Sequence, residues 1–179
     1  MDQSAHYYQL LALGRDAFLR AAAPAALVRK RRSTGGDAGL PARRAGDDEA
    51  GDTLVASFDG NTTGTGTRLP TAGGSLEVFP LVKKRGAPFA DMITCGRTAN
   101  NDVVIDDVTV SRFHAFFRQK DNQWAVADSG SKNGTTLDGQ RLEPRRERPI
   151  DSGMVVKLGD VATTFHSAAS LYDLLTQTK

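Results

Sequence analysis

Hydrophobic and polar residues alternate in short runs through the second half of the chain, and turn-forming residues separate the runs. The stretches "LEVFPLV", "FADMITC" and "VVI" come first, and Pro80 in the first of them predicts an edge strand or a bulge. Three turn-forming pairs then lie between β-rich runs: Asp121-Asn122, Asp138-Gly139 and Gly159-Asp160. Successive hairpins without a helical period between them predict a mainly β fold, an antiparallel sandwich or barrel.

The two ends of the chain have helical periodicity instead. Apolar side chains in residues 6–28 recur with the spacing of one helix face, and Gly14 and Pro24 predict breaks in that helix. The C-terminal sequence "SAASLYDLLTQTK" offers Ser167 or Ser170 as an N-cap before leucines that share one face. We therefore predict a helical N-terminal segment and a closing C-terminal helix.

Residues 29–74 differ from both flanks. They are rich in Gly, Thr, Arg and Asp and contain few large apolar residues. Such a composition buries too little surface to offset the entropy of ordering, which predicts a flexible linker. The sequence thus divides into a helical segment (1–28), a linker (29–74), a β domain (75–167) and a C-terminal helix (168–179).

Composition narrows the class of protein. The formal charge of +2 is too small to indicate nucleic acid or an acidic membrane as a partner. Cys95 is the single cysteine, so neither an intramolecular disulfide nor a cysteine-based metal site is expected. No metal or other cofactor is indicated. No apolar run approaches membrane-spanning length, and the N-terminal charge order is the reverse of a signal peptide, so we expect a cytoplasmic protein.

The stretch "VSRFHA" contains Ser111 and His114, which invites comparison with a nucleophile and its base. In a strand, residues three apart point to opposite faces, which would separate the two side chains. The chain also lacks the G-x-S-x-G sequence of a nucleophile elbow. We therefore expect no enzymatic activity from this pair.

Four loop-like groups bracket the strands: residues 95–102, 106–114, 128–135 and 151–160. The first three contain, in order, Gly96-Arg97, Asn101-Asp102, Ser111-Arg112-x-His114 and Asn133-Gly134-Thr135. This ordered set, with its spacings, closely resembles a forkhead-associated (FHA) domain. The resemblance covers residues 75–167 and implies an FHA-type β-sandwich whose loops at one end bind a phosphothreonine peptide.

The side chains in these groups suit that role. A phosphate carries nearly two charges and three acceptor oxygens, and an arginine such as Arg97 offers it paired, directional donors. Asn133 has both an amide donor and an acceptor for an extended peptide backbone. The resemblance implies that the peptide-binding residues are Arg97, Ser111, Arg112, Lys132 and Asn133. It likewise implies that Gly96, His114, Gly134 and Thr135 support the loops.

Simpler interpretations compete with these roles. Arg97 could instead pair with Asp102 or Asp106 on the surface, and Ser111 could cap a turn. Arg112 could be a solvated side chain. Thr109 occupies the position at which FHA domains tend to select the third residue after the phosphothreonine, and an uncharged residue there leaves that preference open.

The basic run "RKRRS" (29–33) lacks interleaved aromatic residues and is followed by the acidic "DDE", which argues for a solvated linker and against nucleic acid. Its arginines place Thr34 in a context that basophilic kinases favour, so Thr34 is a candidate phosphorylation site. A tethered phosphothreonine would reach the chain's own pocket at high effective concentration. The alternative is an unmodified linker.

The sequence therefore predicts a phosphothreonine-binding adaptor in Ser/Thr kinase signalling. Its expected partner is a phosphorylated protein, either a Ser/Thr kinase or a kinase substrate. The alternative is a scaffold or oligomerisation subunit that uses the FHA fold without phosphate-dependent binding.

Overall fold

The computed structural model describes residues 3–31, 75–87 and 89–178. Two short helices and a strand come first: α1 (Ser4–Leu11), α2 (Arg15–Ala21) and β1 (Ala25–Arg31). Ten strands follow: β2 (Ser75–Pro80), β3 (Ile93–Gly96), β4 (Val103–Val104), β5 (Ala115–Lys120), β6 (Gln123–Asp128), β7 (Thr135–Leu137), β8 (Gln140–Arg141), β9 (Arg148–Ile150), β10 (Val155–Leu158) and β11 (Val161–Ser167). The last element is α3 (Ala168–Gln177).

The strands form two sheets that face each other. One has six strands in the order β2-β1-β11-β10-β7-β8, and the other has five in the order β4-β3-β5-β6-β9. Neighbouring strands are antiparallel except β3 and β4, which are parallel. The prediction of a mainly β sandwich with helices at both ends is confirmed, with this one parallel pair added to it.

Alternation along the strands builds the core between the sheets. Phe117 of β5 and Val126 of β6 are fully buried and point inwards, opposite Leu158 of β10. Trp124 packs against Phe165 with ring centroids 5.8 Å apart. Burial of these side chains is the main favourable contribution to the sandwich.

The hairpin turns lie where the sequence predicts them. Asp121 and Asn122 have φ values of 48° and 66°, and Asp138 and Gly139 have 47° and 81°. Both pairs therefore adopt the left-handed conformation that a two-residue type I′ turn requires. Gly159, with φ of 60°, begins the third turn between β10 and β11.

The three helices form a third layer on the outer face of the six-stranded sheet. Tyr7, Phe18 and Leu171 are buried there against Ala26 and Val28 of β1. The cap of α3 is Ser167, whose side chain accepts a hydrogen bond from the Ser170 backbone N–H at 3.4 Å. No helix in the described part of the chain is both long and apolar enough to cross a membrane.

The prediction of a helical segment over residues 1–28 is wrong for the last residues of that segment. Residues 25–31 form strand β1, which pairs with β11 on one side and β2 on the other. The run "AALV" is apolar on consecutive residues because Leu27 faces the sandwich core while Ala26 and Val28 face the helices. This strand also crosses the predicted boundary between positions 28 and 29. Residues 32–74, which include most of the predicted linker and Thr34, lie outside the described residues.

If the helical layer is an integral part of the fold, its central side chain must contribute strongly to stability. We expect Phe18→Ala to lower the free energy of unfolding by about 3–5 kcal/mol, because it removes a fully buried aromatic ring. Leu19→Ala is the matched control, since Leu19 is 38% exposed. Urea unfolding of both variants measures the difference, and equal effects would show that the helices are only loosely attached.

Candidate functional site: a cleft formed by the loops at one end of the sandwich

A cleft lies at the end of the sandwich where three loops meet. The loops follow β3, β4 and β6, so the strands hold them in fixed positions relative to one another. The cleft is lined by Arg97, Val108, Thr109, Val110, Ser111, Arg112, Phe113, Gly130, Lys132 and Asn133. The structure thus brings together all five residues that the sequence predicts to bind peptide.

Arg97 comes directly after β3 and is exposed in the cleft. Its backbone N–H donates to the Ser111 carbonyl at 3.0 Å, and its Nε donates to the Val110 carbonyl at 3.2 Å. The terminal Nη groups have no partner among the described residues. Asp102, one of the suggested ion-pair partners, is instead buried and bound to Lys83 at 2.8 Å. The guanidinium is therefore anchored at one edge and open at the other.

A close backbone approach joins the Arg97 loop to the next one. A side chain on Gly96 would place its Cβ 2.3 Å from the Arg112 carbonyl oxygen, so only glycine fits. Asn101 fixes the same carbonyl, because its Nδ2 donates to the Arg112 oxygen at 2.6 Å. Asn101 belongs to the sequence motif, but its role as a brace was not among the predictions.

Ser111 does not act as a turn cap. Its Oγ accepts a hydrogen bond from the Lys132 backbone N–H at 3.0 Å, which links it to the loop after β6. The hydroxyl proton remains available to donate to a ligand. The Ser111 backbone N–H donates to Nδ1 of His114 at 2.9 Å, so these two residues are connected through the main chain.

His114 is fully buried and bridges two loops. Because Nδ1 accepts from the Ser111 N–H, the ring proton lies on Nε2, which donates to the Gly134 carbonyl at 3.1 Å. Burial lowers the pKa of His114, although the bond to Gly134 and the charge of Asp128 oppose that shift. Both nitrogens are engaged with the backbone, and neither is placed to take a proton from the Ser111 hydroxyl.

Asp128, at the end of β6, organises the third loop, and the sequence predictions did not assign it a role. Its two oxygens accept from the backbone N–H groups of Gly130 and Ser131 and from the hydroxyls of Ser131 and Thr135, at 2.6–3.0 Å. Burial favours the neutral carboxyl, but these hydrogen bonds outweigh it and lower the pKa of Asp128. Thr135 is itself buried, which places it beneath the loop as a supporting residue.

Asn133 is positioned by a chain of hydrogen bonds. Its Nδ2 donates to the Thr109 carbonyl at 2.7 Å, and its amide oxygen and second N–H have no partner among the described residues. The Thr109 hydroxyl donates to Asp107 at 2.6 Å and accepts from the Asp160 N–H at 3.0 Å. The bonds from Thr109 lower the pKa of Asp107 and keep it ionised. The β10–β11 turn, where Gly159 contacts Thr109, is thus part of the support.

The cleft is suited to hold an anion. Arg97, Arg112 and Lys132 are exposed around it, and none has an ion-pair partner within the described ranges. No group of His, Cys, Asp and Glu side chains in the part of the chain that the structure describes could hold a metal ion. Cys95 is buried, and burial raises the pKa of its thiol to about 12, so the thiol is not a nucleophile.

Comparison with known proteins identifies the class. A family model described as the FHA domain matches residues 93–159, which contain every cleft residue named above. A curated relative from Corynebacterium diphtheriae, "Oxoglutarate dehydrogenase inhibitor", is 37% identical over 115 residues, covering 62% of this chain and 78% of that protein. The chain belongs to the FHA domain proteins.

A second relative, "Glycogen accumulation regulator GarA" of Mycobacterium tuberculosis, is 39% identical over 92 residues, or 48% of this chain and 55% of that protein. Among solved structures, the N-terminal FHA domain of S. cerevisiae Rad53p bound to a phosphothreonine peptide is 21% identical. The alignment covers 46% of this chain and 73% of the Rad53p chain, with a TM-score of 0.41. Both curated relatives are named as regulatory proteins, and the expectation of a non-enzymatic binding protein is confirmed at the level of the family.

The neutral state of His114 predicts a pH dependence of stability. Its folded pKa lies below the ordinary value of 6.5, so the unfolded chain takes up a proton first as the pH falls. We expect the free energy of unfolding to decrease between about pH 7 and pH 5. His166, whose pKa burial also lowers, contributes in the same direction. Urea unfolding across this range measures the effect.

The variants His114→Gln and His166→Gln separate the two contributions. Each variant should reduce the change in the free energy of unfolding with pH, and the change that remains should come from the other histidine. The carboxylate of Asp128 contributes little between pH 7 and pH 5, because the stability from its lowered pKa is lost only as the pH approaches the unfolded-state value of about 3.9. A wild-type stability that is constant or rises on acidification would contradict the neutral, bridging imidazole.

Proposed function

We propose that the cleft binds phosphothreonine in partner proteins and that the protein is a phosphorylation-dependent adaptor. The observation that supports this most strongly is the position of Arg97. Its Nε is fixed on the Val110 carbonyl, and its terminal nitrogens have no partner among the described residues, in a cleft that Ser111 also lines. A planar guanidinium held in this way offers a phosphate two parallel donors.

The other cleft residues complete the recognition. Ser111 donates its hydroxyl to a further phosphate oxygen, and Lys132 and Arg112 add positive charge around the dianion. Asn133 uses its free amide oxygen and N–H to bind the backbone of the extended peptide. None of these groups transfers a proton, so the ligand is bound and released unchanged.

The names of the relatives suggest the biological setting. One is named as an inhibitor of oxoglutarate dehydrogenase and another as a regulator of glycogen accumulation. We propose that this protein likewise regulates a metabolic enzyme by binding it, under the control of a Ser/Thr kinase in the cytoplasm. The kinase or its phosphorylated substrate is the ligand of the cleft.

The role of Arg97 is tested by titration with a library of phosphothreonine peptides. We expect Arg97→Ala to weaken binding of the best peptide by about 10- to 200-fold, because a charge-assisted hydrogen bond contributes ~1.5–3 kcal/mol. Arg97→Lys should recover only part of the loss, since an ammonium cannot donate in the bidentate geometry. Isothermal calorimetry measures each dissociation constant.

Lys120→Ala is the matched control, because Lys120 is an exposed cation at the end of β5 that does not line the cleft. It should bind like the wild type. Equal affinity of wild type and Arg97→Ala, or equal affinity for phosphorylated and unphosphorylated peptides, would exclude the proposed function and favour the scaffold alternative.

Self-docking of a phosphorylated Thr34 remains a prediction. The positions of the end of β1 and the start of β2 are relevant to it, because Thr34 lies between these strands in the sequence. Arg31, the last residue of β1, pairs with Ser75, and the β1–β11 register continued to Arg31 places it level with Val161. Val161 directly follows the turn whose Asp160 N–H bonds to Thr109. The segment 32–74 therefore leaves and re-enters the sandwich at the end where the cleft lies.

Phosphorylation by a basophilic kinase tests this prediction. We expect phosphate on Thr34 to shift the amide resonances of Ser111 and Lys132 and to weaken binding of an added phosphothreonine peptide, because the tethered ligand competes for the cleft. Thr34→Ala, treated with the same kinase, is the control. A phosphorylated Thr34 that leaves both resonances in place would refute self-docking without affecting the proposed function.

A further inference from the structure

A row of basic side chains crosses the outer face of the six-stranded sheet. Arg141 pairs with Thr136, Thr136 with Lys157, and Lys157 with Ala162. The β1–β11 register, continued by two residues, places Lys30 opposite Ala162. Residues directly opposite one another in a sheet point to the same face, so these side chains form one line across five strands. We call Lys30, Lys157 and Arg141 the basic row.

The row has a regular spacing. Small residues, Ala162 and Thr136, separate the three cations, and adjacent strands lie ~4.8 Å apart, so successive cations lie about 10 Å apart. Lys157 has one exposed ion pair, with Asp160 at 3.4 Å. Lys30 and Arg141 are exposed and have no ion-pair partner in the described ranges.

The phosphate cleft does not account for these charges. None of the three side chains lines the cleft. Only Arg141 approaches it, with its guanidinium 2.5 Å from the position that a Cβ on Gly134 would occupy. The neighbouring part of the same sheet face is covered by the helices, where Val28 is 4% exposed, whereas the row itself is uncovered.

The chain itself contains a complementary segment. Residues 47–52, "DDEAGD", carry four carboxylates and lie outside the described residues. The segment that contains them leaves β1 at Arg31, the neighbour of Lys30. Fifteen residues, 32–46, lie between Arg31 and Asp47. At ~3.3 Å per residue they reach up to about 50 Å, twice the ~24 Å width of a six-stranded sheet.

The spacing of the acidic residues also matches the spacing of the cations in the basic row. In a polyproline II conformation three residues complete one turn with a rise of ~9 Å, so side chains three residues apart lie on the same side at about the separation of successive cations in the row. Glu49 and Asp52 have that separation in the sequence. From this match of charge, reach and spacing, we propose that residues 47–52 dock in cis on the basic row. The tether supplies the effective concentration that weak, exposed charge pairs need.

The test uses the full chain and amide resonances of Lys157, Ala162 and Thr136. The variant with Asp47→Asn, Asp48→Asn, Glu49→Gln and Asp52→Asn should shift all three relative to the wild type at ~0.01 M salt. The shift differences should disappear at ~1 M salt, where the Debye length falls from ~30 to ~3 Å. Lys30→Gln with Arg141→Gln should produce the same changes at Ala162 and Thr136.

Two controls keep the result specific. Asp37→Asn with Asp59→Asn removes isolated acids of the same segment and should leave the three resonances unchanged. Arg97→Ala should also leave them unchanged, because the proposal does not depend on the phosphate cleft. Identical row resonances in wild type and the acid-neutralised variant would overturn it. A shift difference that vanishes on tenfold dilution would overturn it too, because the occupant would then be a second copy.

Discussion

The buried imidazole of His114 is the interaction on which the cleft depends. It accepts a hydrogen bond from the Ser111 N–H and donates one to the Gly134 carbonyl, so it fixes the spacing of the two loops that hold Ser111, Lys132 and Asn133. Both bonds require one neutral tautomer, and burial stabilises that neutral form. A residue that suggests catalysis in the sequence is therefore a structural link.

Charges in this region divide into two groups. The carboxylates of Asp107 and Asp128 accept hydrogen bonds inside their own loops, whereas Asp102 is held by Lys83 and Thr94, and each of the three has a lowered pKa. The side chains of Arg97, Arg112 and Lys132 are exposed and have no ion-pair partner among the described residues. Because these carboxylates are engaged in hydrogen bonds that hold the loops, they do not neutralise the exposed cations of the cleft. The cleft therefore presents an excess of positive charge to a ligand. Such an arrangement favours anion binding and supplies no general base.

Most strands of the β domain and the hairpin turns could be predicted from local patterns, and the five residues predicted to bind peptide followed from the resemblance of their ordered groups to an FHA domain. The left-handed pairs at the turns and the ordered glycine, serine, histidine and asparagine groups are recognisable without knowledge of tertiary contacts. Strand β1 was missed since it is covered on both faces, and a fully apolar run such as "AALV" resembles a helix in an alanine-rich context. The supporting roles of Asn101 and Asp128 depend on loops that meet only in the folded chain.

The central claim is that a phosphate group is bound between Arg97 and Ser111. An NMR titration with one phosphothreonine peptide and its unphosphorylated twin tests it most directly. The account predicts that the phosphorylated peptide shifts the amide resonances of Arg97, Ser111 and Lys132 together with the Arg97 side-chain Nε–H, and that the twin shifts none of them. Equal shifts from both peptides, or phosphate-dependent shifts confined to another surface, would contradict it.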